Sequence, residues 1–252
     1  MMIKIFIPVY NEEEFIEQNL RYMVPKFSKL LTDDYKIYVV NDGSTDRTGD
    51  ILDSINIDNV IHLKCNGPSV RENLAKMFVK QGKKGDLIFF MDADLSTDMS
   101  SLPQLITEMK KGFDIVVGSR YQKGAKLNRI PYRFLVSKIF NTFLYLYFGS
   151  RVRDHECGFK LFKYEVIRDL VKEMGLNLQR RAFWDSEMLI RAQQKGYRIK
   201  EVPVIWMEGP KSYISIKKEK SMVSYILILK FRLVKERKIN RKKQKSLSIN
   251  SD

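Results

Sequence analysis

Cysteine and histidine are both scarce in this sequence, with two residues of each among 252. Cys65 and Cys157 are too few and too far apart for the disulfide framework of a small secreted protein, and no Cys/His cluster has the spacing of a zinc site. A reducing, cytosolic setting is therefore the expectation. The first residues lead directly into an apolar run, so we also expect no signal peptide.

Long apolar runs and acidic residues are also under-represented. No run of about 18 apolar residues is present, so we predict no segment that clearly spans a bilayer. Acids number 30 against 45 bases, which gives a formal net charge of +15. Between Lys211 and Lys245, 13 Lys and Arg residues stand against two acids, so this tail carries 11 of the 15 charges. Such a distribution indicates a basic tail on a nearly ordinary domain, not a uniformly basic nucleic-acid-binding surface.

The remaining composition is that of a folded domain. Hydrophobic residues make up 44% of the chain and include 15 Phe, enough to build the core of one large domain. Strand-like and helix-like apolar patterns alternate, which predicts an α/β fold with a mostly parallel sheet covered by helices on both faces. We predict that the first helix is capped by Asn11 and runs to about Leu31. Pro203, in a predicted strand, favours an edge strand or a bulge.

Acidic side chains follow two of the predicted strands at the point where each strand ends. The run Ile88–Met91 leads into Asp92 and Asp94, and an earlier strand ends at Asp42. Ligands of open α/β sheets bind at the carboxyl edge of the strands, and two aspartates one residue apart suit a hard divalent cation. A solvated acidic loop would explain Asp-x-Asp alone, but it would not explain two acidic strand ends in one sheet.

Arg71 lies in the first turn of a predicted helix, where the helix dipole disfavours a cation. Two explanations are open. Either an anionic ligand binds there, or Arg71 pairs with Glu72 or Asp42.

The second half of the chain contains two candidate membrane-binding helices. Residues 139–148 read as a helix that is apolar nearly all round, with a basic end, and no acid occurs between Ser119 and Arg153. It is either a buried core helix or a helix that lies in the headgroup region. A basic amphipathic helix and a polar, disordered tail are predicted after Pro210. We therefore divide the chain into a domain at 1–210 and a membrane-surface-binding segment at 211–252.

The strand-end motifs together resemble a known enzyme family. Pro8-Val9-Tyr10-Asn11-Glu12, Asn41-Asp42-Gly43-Ser44-Thr45-Asp46 and Asp92-Ala93-Asp94 follow one another at comparable strand–helix junctions. As a set they resemble the inverting glycosyltransferases with a GT-A fold. Gly118-Ser119-Arg120-Tyr121, Cys157-Gly158-Phe159-Lys160 and Phe183-Trp184-Asp185-Ser186-Glu187 are similar to motifs of the polyprenyl-phosphate (dolichyl-phosphate) hexose synthases.

This resemblance implies a role for particular residues. Donor-nucleotide contacts are implied for six of them: Pro8, Tyr10, Glu12, Asp42, Arg71 and Asp92. A Mg²⁺ or Mn²⁺ ion would be held by Asp94, the main ligand, together with Asp92. Arg120 and Arg133 would approach the acceptor phosphate. Asp185 would face the reacting sugar, although an ordinary helix start explains it equally well.

The implied reaction is an inverting, metal-dependent transfer of a hexose from a nucleoside diphosphate sugar to a polyprenyl phosphate. It would occur at the cytoplasmic face of a membrane, with the enzyme bound peripherally. UDP-glucose is favoured as the donor over GDP-mannose. One alternative is transfer to a soluble or polysaccharide acceptor, for which Asp185 is the candidate base. The other is a non-enzymatic module that binds nucleic acid through its tail, which the acidic strand ends argue against.

Overall fold

Strands and helices alternate strictly through the first half of the chain. The computed structural model describes residues 1–69, 71–208 and 224–236. The first nine elements are β1 (Ile3–Val9), α1 (Ile16–Leu30), β2 (Tyr35–Asn41), α2 (Thr48–Ser54), β3 (Val60–Lys64), α3 (Glu72–Gln81), β4 (Leu87–Met91), α4 (Leu102–Lys110) and β5 (Ile115–Ser119).

The second half adds strands and helices in a less regular order. Its elements are β6 (Lys126–Asn128), α5 (Pro131–Phe148), β7 (Phe159–Lys163), α6 (Tyr164–Met174), α7 (Trp184–Gln194), β8 (Ile199–Pro203) and β9 (Ile205–Met207). Short 3-10 turns precede α4 and α7. Residues 224–236 are helical, and we call them the C-terminal helical segment.

Seven strands form one sheet in the order β3-β2-β1-β4-β7-β5-β8. Its neighbours pair in parallel, except that β7 runs antiparallel to both β4 and β5. The mostly parallel sheet predicted from the sequence is thereby confirmed. A separate parallel pair joins β6 to β9. Pro203 ends β8, one of the two edge strands of the sheet, where a residue without a backbone N–H is tolerated.

The sheet has a hydrophobic core on each face because successive side chains of a strand point to opposite sides. Ile5 and Ile7 of β1 pack into one core with α1, α2 and α4. Phe6 packs into the other with α3, α6 and α7. Helices thus cover both faces, as predicted.

The first helix begins later than the sequence pattern suggests, so the predicted Asn11 cap is wrong. α1 begins at Ile16, and the capping position is occupied by Phe15, whose side chain has no oxygen to cap the helix. Asn11 has a positive φ of 56°, and its Oδ1 accepts a hydrogen bond of 2.8 Å from the Thr45 N–H. The turn chemistry of Asn11 therefore joins two strand-end loops instead of starting a helix.

A third apolar cluster joins α5, α7 and the C-terminal helical segment. Leu144 and Phe148 of α5 pack there with Tyr225, Leu229 and other buried residues. Much of the rest of α5 faces outward: Leu135, Ile139 and Leu146 are 58%, 60% and 75% exposed. The alternative that this helix is a buried core helix is therefore wrong. No helix in the described ranges is long and apolar enough to cross a bilayer. The predicted boundary at residue 210 and the disordered tail lie outside the described residues and stay predictions.

Candidate active site

The carboxyl ends of β1, β2 and β4 border a cavity of about 640 Å³. Because neighbouring parallel strands end at the same edge of the sheet, their trailing loops meet there. All the residues predicted to bind the donor or a metal line this cavity: Pro8, Tyr10, Glu12, Asp42, Arg71, Asp92 and Asp94. The structure thus brings together a set that spans 87 residues of sequence. Their individual roles stay predictions.

Asp42 organises one wall of the cavity through local hydrogen bonds. Its carboxylate accepts bonds from the Ser69 N–H at 2.7 Å, the Ser69 hydroxyl at 2.9 Å and the Asn73 amide at 2.7 Å. Nearby, the backbones of Gly43 and Gly67 approach so closely that a Cβ on Gly43 would lie 2.6 Å from the Gly67 nitrogen. This strand-end acid therefore fixes the loop that enters α3.

Arg71 sits immediately before α3 and pairs with two carboxylates from other elements. Its guanidinium donates to Asp92 at 2.9 Å and to Asp185 at 3.2 Å, and it lies over the Phe90 ring. Burial alone would lower the pKa of Arg71, but the two carboxylates outweigh burial and raise it. Neither partner is one of the two considered from the sequence: Glu72 pairs instead with Arg180 at 2.7 Å.

Asp185 lies behind Arg71, outside the residues that line the cavity. It is buried near the start of α7, where it binds Arg71 and, at 2.8 Å, the ammonium group of the fully buried Lys160. Burial would raise the pKa of Asp185, but the charges of Lys160 and Arg71 hold it below its ordinary value. A carboxylate that binds two cations is a poor proton acceptor, so its geometry suits the orientation of Arg71.

Asp92 and Asp94 differ in how firmly the protein holds them. Asp92 is bound by Arg71 and packs against Gly158 so closely that a Cβ there would lie 1.8 Å from Asp92 Oδ2. Burial raises the pKa of Asp92, with a further contribution from Asp94, whereas Arg71 opposes the shift. Asp94 is exposed, and its Oδ1 accepts a bond of 2.9 Å from the Ser96 N–H.

These two carboxylates fit a hard divalent cation. Within the described part of the chain, no three His, Cys, Asp or Glu side chains are grouped so that they could hold a metal ion, either at this pair or at another place. Mg²⁺ and Mn²⁺ are commonly held by one or two carboxylates together with substrate phosphates, so a pair at the rim of an open cavity meets that requirement.

Arg120 and Arg133, predicted to bind the acceptor phosphate, do not line this cavity. Arg120 is buried in a two-pronged pair with Asp154, at 2.8 and 2.7 Å, and Arg133 pairs with Glu208. Between them in sequence, Arg129 lies over the Trp206 ring, as Arg120 also does. These arginines form a second basic site near the start of α5, and their acceptor role stays a prediction.

Three residues of the site have roles that the sequence did not reveal. Gly158 and Lys160 belong to a motif noted only for its family resemblance, yet one makes room for Asp92 and the other holds Asp185. A lysine in the middle of an apolar strand was the available signal for Lys160, because a buried ammonium group requires an ionic partner. Arg181 also lines the cavity, and no sequence pattern marks it.

A family model and several proteins of related sequence match most of this chain. A model of the family described as glycosyl transferase family 2 matches residues 4–171. Glycosyltransferase AglD of Haloferax volcanii is 33% identical over 81% of this chain. Dolichyl-phosphate beta-glucosyltransferase ALG5A of Trichomonas vaginalis is 31% identical over 84% of this chain. The chain spans 33% of the length of AglD and 68% of that of ALG5A.

Solved structures share the fold at low sequence identity. Glucosyl-3-phosphoglycerate synthase from Mycobacterium tuberculosis, in complex with Mn²⁺, UDP and phosphoglyceric acid, has a TM-score of 0.61 at 15% identity, covering 91% of this chain and 78% of that one. Mannosyltransferase PcManGT from Pyrobaculum calidifontis, in complex with GDP-Man and Mn²⁺, has a TM-score of 0.55 at 16% identity and covers 83% and 57%. The predicted GT-A fold is confirmed.

Proposed function

This chain belongs to glycosyl transferase family 2, and we propose that it transfers a hexose from a nucleoside diphosphate sugar to a polyprenyl phosphate at a membrane surface. The main support for the proposal is that Asp42, Arg71, Asp92 and Asp94 all line one cavity at the carboxyl edge of the sheet. Relatives named as dolichyl-phosphate beta-glucosyltransferases support a lipid-phosphate acceptor. Family membership argues against the non-enzymatic, nucleic-acid-binding alternative.

The donor lies in the cavity with its nucleotide against β1 and β2. Pro8 lies near the end of β1, Tyr10 and Glu12 follow that strand, and Asp42 follows β2, so we expect the base and ribose to contact these residues. The diphosphate then lies toward Asp92 and Asp94. UDP-glucose remains the favoured sugar donor, with GDP-mannose next, and the glucosyltransferase names of the relatives agree with that order.

Asp94, with Asp92, would hold a Mg²⁺ or Mn²⁺ ion, which when bound supplies positive charge that stabilises the diphosphate leaving group. Arg71 holds Asp92 in place, and Asp185 holds Arg71, so the acidic edge is oriented before the donor arrives. Attack from the face opposite the leaving group inverts the anomeric centre.

A phosphate acceptor explains why the site needs no strong base. The attacking oxygen of a polyprenyl phosphate is already anionic at neutral pH, so alignment and electrostatics suffice. A soluble alcohol acceptor would need a base, and Asp185 already binds Lys160 and Arg71. The pairing of Asp185 therefore favours the phosphate acceptor.

The acceptor phosphate lies near the basic site at the start of α5. Arg120 and Arg133 are held by Asp154 and Glu208, and the buried Arg129 Nε has no hydrogen-bond partner among the described residues. Burial and the neighbouring Arg120 lower the pKa of Arg129. An arriving phosphate would relieve this accumulation of positive charge, because guanidinium groups offer paired donors to phosphate oxygens.

The outer faces of α5 and the C-terminal helical segment suit a lipid surface. Their outward apolar side chains include Leu135, Ile139, Leu146, Leu227 and Phe231, all exposed. Lys138 and Lys235 on the same two elements are also exposed. Exposed apolar faces flanked by lysines bind anionic bilayers, and each Lys or Arg near such a surface contributes about 1 kcal/mol. We place the enzyme on the cytoplasmic face, because Cys65 and Cys157 are both free, which suits a reducing compartment.

Labelled sugar transfer tests the function directly. The full chain is incubated with UDP-glucose or GDP-mannose, a short polyprenyl phosphate, and Mg²⁺ or Mn²⁺. Label in the organic phase from one donor identifies both the reaction and the sugar. Donor binding or hydrolysis without lipid-linked label would overturn the acceptor assignment and leave the soluble or polysaccharide acceptor as the better candidate.

A further inference from the structure

Arg181 lines the cavity proposed to bind the donor, and the proposed transfer mechanism gives this cation no role. The residues that line the cavity carry four carboxylates, from Glu12, Asp42, Asp92 and Asp94, and two guanidinium groups, from Arg71 and Arg181. Arg71 already pairs with Asp92 and Asp185. The Arg181 guanidinium has no hydrogen bond or ion pair with any residue in the described ranges, and the side chain is only partly buried. It is therefore available to a ligand in the cavity.

The backbone of Arg181 is held in a conformation that arginine disfavours. Its φ of 49° and ψ of −132° correspond to the first central position of a type II′ turn, which glycine adopts most easily. Strain of this kind persists only where the surroundings impose it, and it is concentrated at functional sites. An arginine where glycine would be less strained indicates that the side chain is needed there.

The neighbours on both sides of Arg181 impose that conformation. Arg180 is buried, and its guanidinium donates to Glu72 at 2.7 Å, to Glu187 at 2.6 Å and to the Met174 carbonyl at 2.8 Å. Two residues further on, Phe183 is fully buried in the cluster formed with α5 and the C-terminal helical segment. With both flanks fixed, the chain between them has little freedom, so Arg181 is held at the wall of the cavity.

We propose that Arg181 binds the donor, with its guanidinium contacting the anionic diphosphate on the side of the cavity facing Asp92 and Asp94. The inference rests on the proposed function. A guanidinium matches phosphate oxygens in charge and in paired hydrogen-bond geometry. The acceptor also carries a phosphate, but its arginines lie outside this cavity, whereas Arg181 shares the cavity with Pro8 and Asp42. The donor is therefore the better match.

Two variants separate the charge of Arg181 from its backbone strain. R181G removes the guanidinium and relieves the positive φ, and R181K keeps a charge without the paired donors. Q179A is the matched control, since Gln179 is an exposed residue of the same turn and does not line the cavity. Calorimetry with Mn²⁺ measures the binding of UDP, GDP and the two corresponding nucleosides, uridine and guanosine, to the full chain.

We expect R181G to weaken binding of the preferred nucleoside diphosphate about 10- to 100-fold, the range for a charged hydrogen-bonded contact. The nucleotide affinity of R181K should lie between those of R181G and the wild-type protein. Q179A should bind the nucleotide as tightly as the wild type. Binding of the nucleoside should not change, and the melting temperature of R181G should be equal or higher, because the strain is relieved.

Several results would overturn the assignment. Equal nucleotide affinity in R181G and the unchanged protein would show that Arg181 does not contact the donor, while leaving the proposed function intact. An equal loss for nucleoside and nucleotide would show that the turn merely shapes the cavity. A raised KM for polyprenyl phosphate with unchanged nucleotide affinity would assign Arg181 to the acceptor. Failure of the unchanged protein to bind either nucleotide would refute this inference together with the proposed function.

Discussion

At the scale of single residues, the candidate site depends on how each carboxylate is held. Asp92, Asp94 and Asp185 all belong to acidic motifs, yet the protein gives them different surroundings. Asp185 is buried against two cations, Asp92 is held by one, and Asp94 is exposed to the cavity. This gradient suggests a division of work in which Asp185 positions Arg71, Arg71 fixes Asp92, and Asp94 remains available to a metal ion.

The first prediction concerns Asp94. Asp94→Asn keeps an oxygen that can accept the Ser96 N–H bond but removes the negative charge, so the fold should be unchanged. Sugar transfer should fall by about 100-fold or more if Asp94 is the proposed ligand of a Mg²⁺ or Mn²⁺ ion that stabilises the leaving group. Transfer is measured at saturating Mn²⁺. Asp58→Asn, an exposed acid before β3, is the control, and undiminished transfer by Asp94→Asn would rule out the metal role.

The second prediction concerns Gly158. In Gly158→Ala the new Cβ would lie 1.8 Å from Asp92 Oδ2, so the carboxylate must move. A displacement of about 1 Å in a reacting site costs roughly 100-fold in rate, and local overpacking costs about 1–3 kcal/mol of unfolding free energy. The rate constant for transfer and the melting temperature measure the two effects.

Gly49→Ala is the matched control for this substitution. Its Cβ would meet only the Asn41 side-chain amide, at 3.3 Å, so the rate constant for transfer should be nearly unchanged. Full activity of Gly158→Ala would show that the position of Asp92 does not limit the reaction.

At the scale of elements, α5 and the C-terminal helical segment form a packed pair of helices with an exposed outer face. α5 and the C-terminal helical segment pack together through Leu144, Phe148, Tyr225 and Leu229, and Lys230 donates to the Tyr147 carbonyl. The same segment contacts the centre of the molecule, since the Tyr225 hydroxyl donates to Glu187 at 2.5 Å and lies 3.2 Å from Arg180. The segment is thus attached to the turn that carries Arg181.

A third prediction tests the outer face of these two helices. Leu146 and Phe231 are 75% and 76% exposed, so Leu146→Glu and Phe231→Glu together should not unfold the domain. Each apolar side chain contributes about 1.5–3 kcal/mol when it leaves water, so the double variant should bind anionic vesicles at least about 10-fold more weakly.

Vesicle flotation measures that binding, and transfer to a detergent-solubilised acceptor should change much less. Tyr22→Glu on α1, another exposed aromatic position, is the control. Unchanged flotation of the double variant would exclude this face as the membrane-binding surface.

At the scale of the whole molecule, stability depends on ionisable groups that are buried in one protonation state. His155 is fully buried, with its Nε2 2.8 Å from the Ser150 hydroxyl and its Nδ1 2.8 Å from Asn141 Oδ1. Burial lowers the pKa of His155 to about 4. The folded protein therefore keeps this imidazole neutral at pH values where an unfolded chain would protonate it.

A fourth prediction follows from that pKa. Between pH 6.5 and about 4 the unfolded state binds a proton that the folded state does not, so stability falls as the pH is lowered through this window. Across this pH window, His155 should lower the free energy of unfolding by about 3 kcal/mol. Urea unfolding at pH 6.5 and pH 4, compared between the unchanged protein and His155→Gln, measures it. The variant should lose less stability on acidification, and equal losses would contradict the buried neutral imidazole.

The sequence did not predict whether α5 is buried or exposed. Its composition fits a buried helix and a membrane-surface helix equally well, because both are apolar nearly all round. Only packing separates the two: the molecule buries Asn141, Leu144 and Phe148 and leaves the other faces of α5 largely uncovered. Similarly, the sequence could place Arg71 at a helix start but could not identify its partners, since Asp185 lies 114 positions away.

The α/β class, the mostly parallel sheet and the acidic strand ends could all be predicted from the sequence, because the side-chain periods of strands and helices are local properties. The sequence also predicted that Asp42, Asp92 and Asp94 share one sheet edge, since parallel strands align their carboxyl ends. Only the packing of the fold establishes which charges pair, why Gly158 must lack a side chain, and that Arg181 lines the same cavity as Asp42 and Asp92. Those features depend on distances between segments far apart in the chain, which packing sets and no local pattern encodes.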